Sequence, residues 1–174
     1  MQWRTSHFDY HSFEDNLLKL DILGHDDPTF IKKLMEYVQA FPEEFPFKEA
    51  NEIPFINEEV ISLFSSKDAL KIKGDDLDKL SSGTIGMPEF GTQFVRGMLE
   101  TIKPKTYNDI IKVSGLSHGT DVWAGNAEAL VKNQIDGFPP VEFKDVIGCR
   151  DDIMIYLIAK GVPAADAFKI MEQV

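Results

Sequence analysis

The chain has 174 residues, 18 of them basic and 29 acidic, and the resulting formal net charge of −11 argues against a stand-alone binder of the phosphate backbone of nucleic acid. A chain of this length suits one domain and can bury roughly 70% of its unfolded surface without staples; its single Cys149 has no internal partner, so a reducing cytoplasm is expected. The N-terminal twenty residues carry Arg4, Asp9, Glu14 and Asp15 without a continuous apolar stretch, and the longest apolar segment, 153–159, is too short to span a bilayer, so a soluble protein with no signal peptide is expected.

Two short strands are expected first. Thr5-Ser6-His7-Phe8-Asp9-Tyr10 forms one, a turn or short helix lies near Ser12 to Asn16, and the weakly alternating run Leu17-Leu18-Lys19-Leu20-Asp21-Ile22-Leu23-Gly24 forms the other. An isolated two-stranded ribbon is marginal in water, so these strands must pair with something else, a first sign of a larger fold. Asp21 stands out within the second strand. A carboxylate on a half-buried strand needs a cation or a water-filled cleft, because left unpaired it is costly or takes up a proton. An ion pair with Lys19 and a metal site both meet that need.

From Asp27 the pattern turns helical, with Asp27 as N-cap, Pro28 at the first helical position, and Phe30, Ile31, Leu34, Met35 and Val38 on one face. Pro42, Pro46 and Pro54 mark 41–54 as loop. Asn57 caps a short helix through Val60, Ile61, Leu63 and Phe64, and another follows over Ser66 to Leu70 before the polar Lys73-Gly74-Asp75-Asp76 segment. Glycines and Pro88 make 81–91 a loop. Thr92 to Ile102 is helical through Phe94, Val95, Met98 and Leu99 and ends at Lys103-Pro104. Thr106-Tyr107-Asn108-Asp109 reads as a capping box opening a helix through Ile110, Ile111 and Val113, which the segment Gly115 to Asp121 breaks. Ala124 to Lys132 is helical by propensity, and Asn133 to Val141 is loop. Asp151 or Asp152 caps a helix to Lys160, Gly161 stops it, and Pro163 starts the last. The fold class expected is mainly α with a small β element: two short strands, then an irregular multi-helix region.

Several groups could carry chemistry. Asp26 and Asp27 beside Asp21 suggest carboxylates for Mg²⁺ or Ca²⁺, although Asp27 before Pro28 is equally a helix cap. His7 and His11 are four residues apart but need not share a face. The segment Gly115 to Asp121 brings Ser117 and His118 between glycines that let backbone approach a ligand, and a helix start at Thr120 or Asp121 would offer N–H groups to an anion; a plain helix–helix linker explains the same residues. It lacks the Gly-Lys-Ser/Thr ending of a P-loop. Arg96 and Arg150 are two of only three arginines, and a guanidinium fork grips phosphate, with ion pairs to Glu100 or Asp151 as the alternative. Cys149, after Val-Ile-Gly, reads as core.

Longer blocks point further. The segments His7-Phe8-Asp9-Tyr10-His11-Ser12, Asn16 through Thr29, Pro88-Glu89-Phe90-Gly91-Thr92 with Phe94-Val95-Arg96, Ser114 through Trp123, and Val146 through Met154 resemble, in order, the catalytic region of the PolC-type alpha subunit of bacterial DNA polymerase III. The resemblance implies that 1–25 is the end of the palm and 26–174 the fingers. It implies that Asp21 is one of three palm aspartates of a two-Mg²⁺ site, with the upstream Asp-x-Asp pair lying outside this chain. Two divalent ions need several carboxylates, so one alone cannot hold them, and this chain by itself is expected to be catalytically inactive. The resemblance further implies an incoming-nucleotide site with Ser114, Ser117, His118, Arg150 and Arg96. The implied partners are primer-template DNA and a deoxynucleoside triphosphate, with the sliding clamp and other replisome subunits held by regions not in this chain. The location implied is the cytoplasm, at the nucleoid. The competing reading is an independent acidic helical module that recruits a protein without catalysis. A stand-alone metal hydrolase using Asp21, Asp26 and His25 explains none of the later blocks.

Overall fold

The computed structural model describes residues 7–13, 15–18, 20, 22–72, 74, 79–119 and 121–174. They fall into two compact units, Met1–Ala50 and Asn51–Val174.

In the first unit the two expected strands are not formed among the described residues, and the fold class is corrected to helical. Asp9 accepts a hydrogen bond from the His11 backbone N–H at 3.3 Å and starts a single 3₁₀ turn, Tyr10–Ser12, where a strand was expected to end. Downstream, Leu18 is 85% and Ile22 96% exposed, and the other described apolar residues of this run, Leu17, Leu20 and Leu23, are exposed as well. Alternation can mark a strand only where a neighbouring strand takes its N–H and C=O groups, and no described residue does so here. Lys19 and Asp21 lie outside the described residues.

Helix α1 spans Asp27–Ala40. Asp26, rather than Asp27, occupies the cap position, and it acts through its backbone: the Phe30 N–H donates to the Asp26 carbonyl at 3.0 Å. Pro28 in the first turn costs nothing, since its missing N–H would have had no partner. Val38 is buried, whereas Phe30, Leu34 and Tyr37 on the apolar face are each more than half exposed. Tyr37 packs against Phe41 with the rings tilted by 45° and their centroids 4.8 Å apart.

The second unit contains α2 (Glu58–Ser62), α3 (Gln93–Ile102), α4 (Tyr107–Ser117), α5 (Glu128–Val131), α6 (Arg150–Ala159) and α7 (Ala164–Glu172). Local signals set most of their starts. Asn57 Oδ1 accepts from the Val60 N–H at 3.1 Å, Thr92 Oγ1 accepts from Val95 at 3.3 Å, and the Thr106–Asp109 capping box forms in both directions. At the C-terminal ends, Lys103 (φ 49°) closes α3 and Gly161 (φ 90°) follows α6 in left-handed conformations.

The core joins Val95, Met98 and Leu99 of α3 to Val113 and Leu116 of α4, with Trp123, Ala127 and Val146 completing it. Met98 and Leu99 are each 1% exposed, and burying a side chain of that size contributes about 1.5–3 kcal/mol. Helices α6 and α7 pack on each other, burying Ala167 and Met171.

Several boundaries differ from expectation: α2 stops at Ser62 rather than reaching Phe64, and the helix expected over Ser66 to Leu70 is a 3₁₀ turn, Asp68–Leu70. Helix α4 runs through Gly115 to Ser117, because that glycine serves packing rather than termination. The helix expected over 124–132 is reduced to Glu128–Val131, since Ala124 (ψ 126°) and Gly125 (φ 72°) break the preceding segment. The N-cap of α6 is Cys149, and Asp152 sits in its first turn, reaching back to the Cys149 N–H.

Candidate functional site

The end of α4 and the start of α6 meet along one seam. Gly115 and Gly148 make it possible: a Cβ on Gly115 would collide with the Gly148 carbonyl, and one on Gly148 would lie 2.6 Å from Lys112 Cβ. Lys112, 6% exposed, closes the same seam from within. Its ammonium donates to the Lys144 carbonyl at 2.5 Å and the Val146 carbonyl at 2.6 Å. Asp152 Oδ2 lies 3.9 Å from that ammonium and accepts from the Gly148 N–H at 2.7 Å and the Cys149 N–H at 3.3 Å. A buried cation is tolerable only when its donors are satisfied, and these carbonyls do that while fixing where α6 begins.

Beside the seam opens a groove of about 940 Å³. Leu116, Val122, Leu130, Phe138, Val146 and Ile153 give it an apolar wall, and His118, Asn126, Asp145 and Arg150 bring polar groups. That mixture of apolar wall and few polar groups is typical of small-molecule sites. Arg150 is the first residue of α6 and is exposed, so its guanidinium can meet solvent or a ligand at the groove. Among the described residues it forms no ion pair with Asp151.

His118 follows the last turn of α4. Its Nδ1 lies 2.6 Å from the Ser114 carbonyl, which can only accept, so Nδ1 carries a proton. Ser117 Oγ donates to the same carbonyl at 2.7 Å and lies 3.1 Å from Nδ1. His118 Nε2 faces Glu89 Oε2 at 3.3 Å. Ser114 therefore contributes its carbonyl to this arrangement, and Ser117 helps orient the ring.

The expected site residues separate. His118 and Arg150 line one groove, with Ser114 and Ser117 bonded to or beside His118. Arg96 projects from α3 and is not a lining residue; its Nε is buried without a hydrogen-bond partner, while Glu100, its expected partner, accepts from Ser81 Oγ at 2.6 Å. Cys149 is half-buried on the groove wall rather than in the core. Asp21 lies outside the described residues, and among those described no three His, Cys, Asp or Glu side chains gather to hold a metal ion. No described helix is long and apolar enough to cross a membrane. Lys112 and Glu89 are the residues that sequence reasoning missed. A lysine flanked by Ile111 and Val113 was the available signal for the first, and nothing local marked the second.

A family model described as the finger domain of the bacterial DNA polymerase III alpha subunit matches residues 27–174. A DNA polymerase III PolC-type from Listeria monocytogenes serovar 1/2a is 51% identical over 173 residues, 99% of this chain and 11% of the relative. The PolC-type relative of Bacillus subtilis strain 168 is 49% identical over 171 residues, covering 98% of this chain and 11% of its own length. That of Staphylococcus aureus strain MW2 is 49% identical over 172 residues, with 99% and 11% covered. The chain thus spans 11% of the length of the curated relatives it matches.

Proposed function

Because this chain belongs to the finger-domain family of the bacterial DNA polymerase III alpha subunit, we propose that it is the nucleotide-facing part of a PolC-type replicative polymerase. In this reading 1–25 ends the palm and 26–174 forms the fingers. The observation that carries it is the groove of about 940 Å³ that His118 and Arg150 both line. The Arg150 fork takes triphosphate oxygens, His118 in its doubly protonated form adds an Nε2–H donor on the same groove, and the apolar wall accepts the flat, weakly polar parts of the nucleotide. Ser117 and the Ser114 carbonyl hold the His118 ring. Arg96 is a weaker phosphate candidate that rests on its residue type alone, since its partnerless Nε is buried and it does not line the groove.

The reaction served is template-directed DNA synthesis, in which the primer 3′-hydroxyl attacks the α-phosphate and pyrophosphate leaves. Mg²⁺ would stabilise the developing charge, and Asp21 is proposed as one of its ligands. The described residues do not by themselves fit a pair of divalent ions, and in this reading the remaining carboxylates belong to other parts of the polymerase. The chain's own contribution is to bind and orient the nucleotide. Primer-template DNA, the sliding clamp and the other replisome subunits are held mainly by other regions, in keeping with the charge of −11.

In a full-length PolC-type polymerase containing this chain, Arg150→Ala is expected to raise the nucleotide KM roughly 10- to 100-fold, the loss of one charge-assisted contact. An unchanged KM would remove Arg150 from the site. Primer extension by the isolated 174-residue chain is expected to give no product, and measurable synthesis would overturn the assignment of the missing carboxylates.

The exposed apolar face of α1, with Phe30, Leu34 and Tyr37, also suits an independent module that recruits a protein partner. Thermal unfolding separates the readings. A sharp transition in a monomer favours the module, and a broad transition with self-association favours a piece of a larger polymerase.

A further inference from the structure

Resting on the groove as the nucleotide site, we infer that Glu89 is an anionic placeholder on His118, a loop carboxylate that a nucleotide phosphate must displace. Both ring nitrogens of His118 have a neighbour: Nδ1–H is on the Ser114 carbonyl at 2.6 Å, and Nε2 lies 3.3 Å from Glu89 Oε2. With Nδ1 protonated, Nε2 carries a proton only in the doubly protonated ring, and in that form Glu89 stands on the one free donor. A carboxylate and a phosphate oxygen are both acceptors that an imidazolium N–H recognises, so the two compete for it.

The loop, rather than the ion pair, aims this carboxylate. Glu89 adopts φ 64°, a left-handed conformation unusual for a residue with a side chain. Hydrogen bonds hold the backbone on both sides of it: Thr84 Oγ1 donates to the Phe90 carbonyl at 3.0 Å, the Gly91 N–H to the Met87 carbonyl at 2.9 Å, and Thr92 Oγ1 to the Glu89 carbonyl at 3.2 Å. Gly91 itself lies where a Cβ would strike the Ile85 carbonyl, so the turn is closely folded. Thr92 also caps α3, which ties the loop to the core. The pair is solvent-accessible, with side chains 58% and 56% exposed for His118 and Glu89. An exposed pair of this kind is weak enough for a polyanion to displace it, so Glu89 tunes nucleotide affinity without blocking it.

The test is steady-state kinetics of a full-length PolC-type polymerase containing this chain. Glu89→Gln keeps the shape and removes the charge; it is expected to lower the nucleotide KM about two- to fivefold with kcat unchanged, the range an exposed pair can supply. In a His118→Ala background the same substitution is expected to have no effect. Should the Gln variant fold poorly, Glu89→Asn, which tolerates the left-handed region, carries the same expectation. A KM that is unchanged or raised, or that falls equally without His118, overturns the inference. If His118→Ala and Arg150→Ala both leave KM unaltered, the reading of the groove fails and this inference with it; if they raise KM and Glu89→Gln does not lower it, only the inference about Glu89 fails.

Discussion

Replacing Lys112 with Met measures what holds the groove together. The substitution keeps the apolar stem and removes the ammonium, so the Lys144 and Val146 carbonyls lose donors at 2.5 and 2.6 Å. Two effects oppose each other. Each buried hydrogen bond from a charged donor contributes about 1.5–3 kcal/mol, and a carbonyl left unsatisfied costs about 1–3 kcal/mol. Against this, the methionine no longer carries the desolvation cost of a buried ion, several kcal/mol in principle. Asp152 at 3.9 Å and two direct acceptors already offset most of that cost in the native chain. The carbonyl terms should win, giving a net loss of about 2 kcal/mol and a Tm lower by roughly 4–8 °C. Urea unfolding followed by tryptophan fluorescence reads it, since Trp123 is buried in the same core. A Met variant as stable as the parent would refute the reasoning, showing that ammonium desolvation outweighs both hydrogen bonds.

Gly97 and Gly115 occupy helices and should respond to Ala in opposite directions. Gly97 has open space around its Cβ position, so Gly97→Ala is expected to stabilise by about 0.5–1 kcal/mol, whereas Gly115→Ala drives a methyl into the Gly148 carbonyl and is expected to cost about 1–3 kcal/mol, both read from urea midpoints. Thr106→Ala removes the side-chain half of the α4 capping box and should cost about 1 kcal/mol, with faster amide exchange confined to the first turn of α4. Leu34→Lys replaces a side chain 63% exposed and should change the stability of the isolated chain by less than about 0.5 kcal/mol; a larger loss would mean that α1 is packed in solution.

What was legible in the sequence was local. Asn57 and the Thr106–Asp109 pair announce helix starts because a cap needs only a side chain and an N–H two or three residues away. The apolar spacing expected for α3 is buried at Val95, Met98 and Leu99, whereas Phe94, read as part of the same set, is 52% exposed. The N-terminal alternation failed because pairing is not a local property: Leu18 and Ile22 are spaced like strand residues and remain exposed. Asp152 was expected as a cap and does cap α6, but from the first turn, reaching back to the Cys149 N–H in a capping box and also to the Gly148 N–H at the seam.

The sequence by itself determined the family, because its blocks match those of the family in the same order, and it singled out His118 and Arg150 by residue type. Only the tertiary structure decided that these two share a groove. They stand 32 positions apart, and what joins them is close backbone contact at Gly115 and Gly148 and a buried Lys112 whose partners lie on another segment. Periodicity reports which face of a helix is apolar. Which helix end meets which depends on steric fit and on satisfying buried polar groups, neither of which is written in neighbouring residues.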